Sequence, residues 1–392
     1  MDSYKRAYAK VDLDAIKHNL TVTKNALKKD MKLAAIVKAD GYGHGSVPVS
    51  LYIEDIVDFF CVATLEEGIN LRYHGITKPI LILACIPRES YKESIVFDIR
   101  ESVFTLDQAK KINEEAKQMG KKMAVHIAID TGMNRIGFKP TKESADIIKE
   151  INDMENIEVE GIFTHFHSAD DSDLTSAHHQ KQLFSEFLEL LHSMGVNPKI
   201  AHASNSAGIV NGIGTDLDMV RCGITMYGIA PSSDVDLKDF DYRPALSIYS
   251  TITYIKRICA GESVSYGATF TAKKDMKVAT ISFGYADGYP RDLSNKGYVL
   301  IHGNKCNILG RICMDQTIVD VSDVKDAKIG DRVVILGESE NSVITVDELT
   351  KSSNTFSYEF ICGINKRVPR LYYCKDEYIG KKDYIRDLYT VI

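Results

Sequence analysis

The sequence predicts an α/β chain, an N-terminal (β/α)8 TIM-type barrel followed by a mainly β C-terminal domain. Three observations predict it. Between residues 33 and 224, short apolar runs alternate with charged, helix-periodic stretches. The apolar runs number eight, at 33–39, 59–64, 79–85, 101–106, 123–130, 157–166, 198–205 and 218–224. Eight strands with seven intervening crossovers suit a closed parallel barrel. Beyond Pro231 long helical patterns vanish until Val346–Leu349, and glycine-punctuated β runs replace them.

The intervening helices follow from period and stops. Leu106–Gly120, Lys142–Met154 and Thr175–Gly195 read as helices, and in the last Leu183, Phe184, Phe187, Leu188 and Leu191 recur at helical spacing. Gly120 and Gly195 stand where C-terminal stops belong. A doubly wound open sheet is the alternative, but eight units without a GxGxxG turn favour the barrel. The acidic Ser232–Pro244 segment, framed by prolines, reads as an interdomain connection. The β candidates beyond it are Ala245–Ile258, Lys277–Ser282, Gly297–Ile301 and Asp331–Leu336. The expected domains are therefore 1–244 and 245–392.

Composition narrows the function. Hydrophobic content of 44% and charged content of 26% are those of an ordinary globular protein. A net charge of -6 disfavours nucleic acid or an anionic membrane as the main partner. No apolar stretch is as long as a membrane span, and Met1–Arg6 leads into no apolar signal core. Eight scattered cysteines without a CxxC pair read as reduced thiols of a cytoplasmic protein.

In a barrel, chemistry gathers where strands end. The first strand candidate runs Ala34-Ala35-Ile36-Val37 into Lys38, and then into a turn with glycines at 41, 43 and 45. Such a lysine either snorkels to solvent or has a task. Partly desolvated, its amine titrates low and forms Schiff bases. The fifth strand ends at Asp130 and leads to Arg135, the sixth ends in Thr164-His165-Phe166-His167, the seventh in His202-Ala203-Ser204-Asn205-Ser206, and the eighth carries Arg221-Cys222-Gly223-Ile224. Two chemistries compete for this set. A pyridoxal 5′-phosphate enzyme would use Lys38 for the aldehyde, Ser206 with the amides near Gly223 and Ile224 for the phosphate, Arg221 for the pyridine nitrogen and Arg135 for an anionic oxygen. A metal-dependent hydrolase would use His165 and His167 with Asp170 and Asp171. An isolated HxH is a weak signal, and no metal is expected.

The second domain decides between them. It supplies Val264-Ser265-Tyr266-Gly267-Ala268-Thr269, Gly284-Tyr285-Ala286-Asp287-Gly288-Tyr289 and Gly310-Arg311-Ile312-Cys313-Met314-Asp315-Gln316. Together with Val37–Gly45, Gly132–Gly137, Thr164–Phe166, Ser204–Gly208, Met219–Ser232 and Lys366–Arg370, these segments resemble, in order, the pattern of the alanine racemase family. The likeness runs from about Tyr8 to Tyr372.

The resemblance implies a pyridoxal 5′-phosphate enzyme that interconverts L- and D-alanine with two bases. Lys38 resembles the Schiff-base lysine and first base, and Tyr266 resembles the second, supplied by the partner subunit of a homodimer with shared sites. His165 and Arg221 resemble the network behind that tyrosine, with Arg221 also on the pyridine nitrogen. Arg135 and the Met314 backbone resemble the holders of the substrate carboxylate, with Asp315 beside them. Tyr42, Ser206, Gly223, Ile224 and Tyr358 resemble the phosphate ring, and Tyr285 with Tyr358 the gate to the site. D-alanine for peptidoglycan is the implied product, and a serine or broader amino-acid racemase is the alternative. One departure stands out. Many relatives carry a carbamylated lysine two residues before the strand-five aspartate, whereas this chain has Ala128, where no carbamate can form.

Overall fold

The computed structural model describes residues 6–386. The signal-core reading of residues 1–5 lies outside them. The chain divides into two compact units. Among the described residues, one contains 16–42 and 46–243; the other contains 6–15, Gly43–Gly45 and 244–386.

The first unit is a closed barrel of eight parallel strands. They are Lys32–Ile36, Phe59–Val62, Ile80–Ile82, Ile99–Val103, Met123–Ala128, Ile157–Phe163, Ile200–His202 and Met219–Cys222. Each of the eight predicted runs overlaps one; Lys32–Ile36 and Ile99–Val103 begin before their runs, and every strand stops two or three residues before its run does. Lys38, Asp130 and His165 therefore belong to the loops rather than the strand ends, whereas His202 and Arg221 stay within their strands. Val, Ile, Leu, Ala and Phe fill the strands because both faces are covered, and most strand positions are buried.

Helices Leu106–Gln118, Lys142–Asn152 and Thr175–Ser193 cover the barrel. The first two start on threonine caps, Thr105 accepting from the Gln108 N–H at 3.1 Å and Thr141 from Ser144 at 3.3 Å. Their buried faces repeat at helical spacing, as Ala109, Ile112 and Ala116 do. Gly120 and Gly195 follow their helices at φ +60° and +80°. The Ser232–Pro244 connection is held to the N-terminal helix Leu13–Ala26. Asn19 exchanges hydrogen bonds of 2.7 and 2.8 Å with the Arg243 backbone, and Tyr242 meets Thr23 at 2.9 Å.

The second unit is mainly β. The long strand Leu246–Ile258 is its spine, pairing antiparallel with Ala7–Asp12, Met276–Ile281 and Arg332–Ser339. Ala7–Asp12 also lies parallel to Arg370–Cys374, so the first strand of the chain belongs to this sheet. Two short helices, Val346–Lys351 and Ser357–Gly363, complete it.

One buried acid in the barrel unit has a measurable consequence. Glu101 is 1% exposed, and burial pushes its carboxyl up to about 7 against the Ser94 bond. Ser94 has one hydroxyl proton, which it can donate to the Tyr91 carbonyl at 2.8 Å. A protonated Glu101 can then donate to the Ser94 oxygen. An acid with a raised folded pKa loses stability as pH climbs from its unfolded pKa to its folded one, and the loss is complete above the latter. Glu101→Gln should therefore be more stable than wild type by about 3 kcal/mol at pH 8 and no more stable at pH 4.5, as thermal melts at the two pH values would read.

Candidate active site

The chain leaves the first barrel strand at Ile36 and enters five successive residues in left-handed backbone, from Ala39 (φ +52°) through Asp40, Gly41 and Tyr42 to Gly43 (φ +79°). For the three that carry a Cβ this costs about 1–2 kcal/mol each, strain of the kind that collects at functional sites. Several bonds secure the turn. Glu67 accepts from the Ala39 N–H at 2.6 Å and from Ala63 at 2.8 Å. The Gly41 N–H reaches the Val37 carbonyl at 2.8 Å, and the Asp40 carboxylate accepts from the Ser46 N–H at 2.9 Å. Lys38, half-buried, begins this turn at the mouth of the barrel.

A cavity of about 330 Å³ opens there, lined among others by Lys38, Arg135, His165, Arg221, Phe163 and Cys85. The first four are residues the sequence singled out, and they converge on one space. Cys85 and Phe163 were not foreseen. Cys85 follows the third strand, whose end carried no chemical signal, and Phe163 looked like ordinary strand filling.

Arg221 organises the floor. It is 3% exposed, and one of its terminal nitrogens donates to the Thr164 and Ala203 carbonyls at 3.0 and 2.8 Å and to His165 Nδ1 at 3.2 Å. The other terminal nitrogen reaches His202 Nδ1 at 2.8 Å. Its Nε makes no bond among the described residues. Burial, with Arg135 adding to it, draws the guanidinium down to about 10, so it remains a cation at neutral pH. An arginine cannot accept a hydrogen bond, so His165 must present an unprotonated Nδ1 to it. Burial and the neighbouring cations Arg221, Arg135 and Lys38 push His165 down to about 3. It is therefore a neutral imidazole with its proton on Nε2.

A second cluster of foreseen residues lies in the same unit. Ser206 Oγ accepts from the Gly223 N–H at 2.9 Å and from the Thr225 hydroxyl at 3.1 Å, which leaves its own proton to donate. The Ile224 N–H makes no bond among the described residues. A Cβ built on Gly223 would meet the Tyr42 hydroxyl at 3.3 Å and Ser206 Oγ at 3.4 Å, so the missing side chain opens a small polar cradle. Hydroxyls and amides without a carboxylate suit a phosphate. Together, the cradle, Lys38 and the unpaired Arg221 Nε fit pyridoxal 5′-phosphate. Thr225, which sequence reasoning missed, also belongs to this cluster.

Arg135 is exposed and makes no hydrogen bond or ion pair among the described residues. Asp130, five residues before it, is not its partner. That side chain accepts instead from Lys139 Nζ at 2.7 Å and from the Asn134 and Gly132 N–H groups at 2.9 and 3.0 Å. Ala128 lines the cavity close by in sequence and brings no anion of its own. In the alternative metal set, His167 is bonded to the Ser168 and Ser176 hydroxyls at 2.7 and 3.0 Å. Among the described residues no three His, Cys, Asp or Glu side chains converge as a metal ion requires.

The remaining predicted residues belong to the second unit. Tyr266 is 67% exposed in a strained loop, with Ser265, Gly267 and Ala268 at φ +63°, +71° and +47°. Tyr285 and Met314 lie together, because the Tyr285 N–H donates to the Cys313 carbonyl at 3.0 Å and that of Ala286 to the Met314 carbonyl at 2.9 Å. The Met314 N–H makes no bond among the described residues. Asp315 is paired with Arg367 at 2.7 Å. Tyr358 is half-buried in its short helix, its ring 5.9 Å from that of Phe356.

Known proteins resemble the chain over nearly its full length. The family descriptions "Alanine racemase, N-terminal domain" and "Alanine racemase, C-terminal domain" match residues 11–231 and 245–372. "Alanine racemase 2" of Caldanaerobacter subterraneus subsp. tengcongensis is 42% identical over 386 residues, 98% of this chain and 99% of that one. The structure of alanine racemase from Clostridium difficile 630 superimposes with a TM-score of 0.92 at 40% identity, covering 97% and 99% of the two chains. That of Bacillus anthracis alanine racemase with bound L-Ala-P gives 0.92 at 32% identity, covering 99% and 100%. The barrel, its cavity and these likenesses define an isomerase of the barrel-type racemase class. The chain belongs to the alanine racemase family.

Proposed function

We propose that the protein racemises alanine with pyridoxal 5′-phosphate as cofactor, using Lys38 and Tyr266 as bases on opposite faces of the substrate Cα. The observation that carries this reading is the single cavity joining Lys38 to Arg221, His165 and Arg135, in a chain whose relatives are named alanine racemases. Lys38 would hold the cofactor's aldehyde carbon, Arg221 Nε its ring nitrogen, and Ser206, Tyr42, Gly223, Ile224 and Tyr358 its phosphate. When bound, the cofactor supplies an aldehyde that condenses with amines and a ring that draws electrons from the Cα–H bond.

The chain's own groups do the rest. Racemisation takes a proton from one face and delivers another to the opposite face, and two carriers of matched acidity do this more readily than one. Tyrosine ordinarily holds its proton to a pKa near ~10. A neutral His165 that donates from Nε2 toward the phenol oxygen, backed by the Arg221 charge, would stabilise the phenolate. An arginine keeps its proton, so it would leave the ring nitrogen unprotonated and favour return of the proton over side reactions. Arg135 and the unbonded Met314 N–H would hold the substrate carboxylate, with Tyr285 and Tyr358 narrowing access.

In this reading the protein is a homodimer, and Tyr266 and Tyr285 reach the partner's barrel. The exposure of Tyr266, Tyr285 and Met314, at 67%, 41% and 52%, supports this, since such side chains cost less when covered. Eight free cysteines support a cytoplasmic setting, and D-alanine for peptidoglycan is the proposed use of the product. The test is racemisation of a panel of L-amino acids by the holoenzyme. Alanine should turn over fastest; a preference for serine would favour the broader-specificity alternative.

Ala128 yields a second expectation. Arg135 has no carbamate to lean on from that position, so the wild-type enzyme should work equally fast in buffer stripped of carbon dioxide. Slowing that bicarbonate reverses would place a carbamate on another residue.

A further inference from the structure

Behind Arg221 the barrel interior holds polar groups that the proposed chemistry does not use. His202 and His126 are both 0% exposed. His202 Nε2 lies 2.9 Å from His126 Nδ1, and His126 Nε2 lies 3.3 Å from Glu160 Oε2. Glu160 also accepts from Arg100 Nε at 3.1 Å, and Arg100 pairs with the exposed Asp98 at 3.1 Å. Arg100 sits near the start of its strand, whereas Lys38 and His165 follow the ends of theirs. In a parallel barrel the chain of contacts therefore crosses the core from the mouth to the opposite end.

Its direction is dictated by one group. Arg221 can only donate, so His202 Nδ1 accepts. A neutral His202 then carries its proton on Nε2 and donates it to His126 Nδ1. His126 in turn carries its proton on Nε2 and donates to Glu160. Burial and Arg221 hold His202 well below the ordinary histidine range, and burial lowers His126 as well. Burial opposes the Glu160 charge, but the His126 and Arg100 bonds outweigh it and leave the carboxyl at about 2.

The backbone is shaped to allow this. The register between Met123–Ala128 and Ile157–Phe163 pairs Val125 with Val159 and His126 with Gly161, which leaves Glu160 as the extra residue of a bulge. Bulges re-aim side chains. A Cβ on Gly161 would lie 2.4 Å from the His126 ring, so the imidazole occupies space that any other residue at 161 would fill. Phe163 stacks on His202 with centroids 5.0 Å apart, which holds that ring's plane.

We propose that His126 and Glu160 are positioning residues for the racemase pocket: a one-way relay through His202 sets that ring's tautomer and holds Arg221 in register with its Nε toward the cavity. Among the described residues Arg221 has no carboxylate in contact, and Glu160, two rings away, is the anion at the end of its hydrogen-bonded chain. A His202 with its proton on Nδ1 would face the guanidinium donor to donor, and the arginine would have to shift.

The experiment uses holoenzyme labelled with ¹⁵N-histidine, alone and with substitutions at 126 and 160. In the wild type, ring-nitrogen resonances at neutral pH should show His202 and His126 neutral, each protonated on Nε2. His126→Phe keeps the ring shape but removes both nitrogens. It should lower kcat by roughly ten- to hundredfold, the cost of a small misplacement near the chemistry, with KM within about twofold. The His202 signal should change as well. His126→Asn keeps an acceptor where Nδ1 was and should restore most of kcat and the His202 tautomer. Glu160→Gln keeps an acceptor for His126 but removes the charge, and should lower kcat without raising KM. A wild-type His202 protonated on Nδ1 or on both nitrogens overturns the proposal without reference to any variant. So does a His126→Phe or Glu160→Gln enzyme that loses thermal stability while kcat and the His202 spectrum stay at wild-type values. The inference rests on the racemase reading. A wild-type enzyme that does not racemise removes that reading, whereas full racemisation by His126→Phe removes this one alone.

Discussion

Tyr266→Phe should slow the conversion of L-alanine to D-alanine by roughly 10²–10⁴-fold, the contribution of one well-placed proton carrier. The substitution removes a single oxygen and leaves the ring. Tyr266 is 67% exposed and its loop is anchored elsewhere, by the Ser265 hydroxyl on the Arg311 carbonyl at 2.5 Å, so folding should be little affected. The loss should also be one-sided. With Lys38 intact, one enantiomer should still exchange its α-proton with deuterated solvent, while inversion stalls. Proton NMR of L- and D-alanine in heavy water reads both rates at once. Equal slowing of exchange from both enantiomers would mean that the phenol is not a base of its own face.

Lys38→Ala should be at least as damaging, because the residue is proposed to hold the cofactor and to serve as the other base. If the two bases of a site come from different subunits, the two inactive variants should repair each other. After Lys38→Ala and Tyr266→Phe subunits exchange, half the dimers are mixed, and one of the two sites in each is whole. Activity should return to about a quarter of wild type, by symmetry alone. No recovery after demonstrated exchange would place both bases in one subunit.

The barrel was legible because each strand is buried on both faces and each helix on one, so apolar runs and periodic stretches alternate cleanly. Strand ends were less so. Val37 continues the apolar pattern of the first strand up to Lys38, but the left-handed backbone from Ala39 breaks the ladder, and only the glycines at 41, 43 and 45 hinted at it. Lys38, Arg135, His165 and Arg221 could be gathered in advance because a barrel brings all its strand ends to one mouth. The relay behind Arg221 could not. Glu160 alternates outward in the sequence pattern, and only the bulge that skips it in the pairing turns it toward His126. Nor does the sequence say what balances Arg135. The neighbouring Asp130 looks suitable, but Lys139, nine residues on, takes it.

The proposed chemistry depends above all on Lys38 as the anchor of the cofactor. Its most direct test is borohydride reduction of the holoenzyme, then digestion and mass spectrometry of the peptides. A pyridoxyl group on Lys38, in about one copy per chain, is the predicted result. A pyridoxyl group on any other lysine, with Lys38 unmodified, would contradict it.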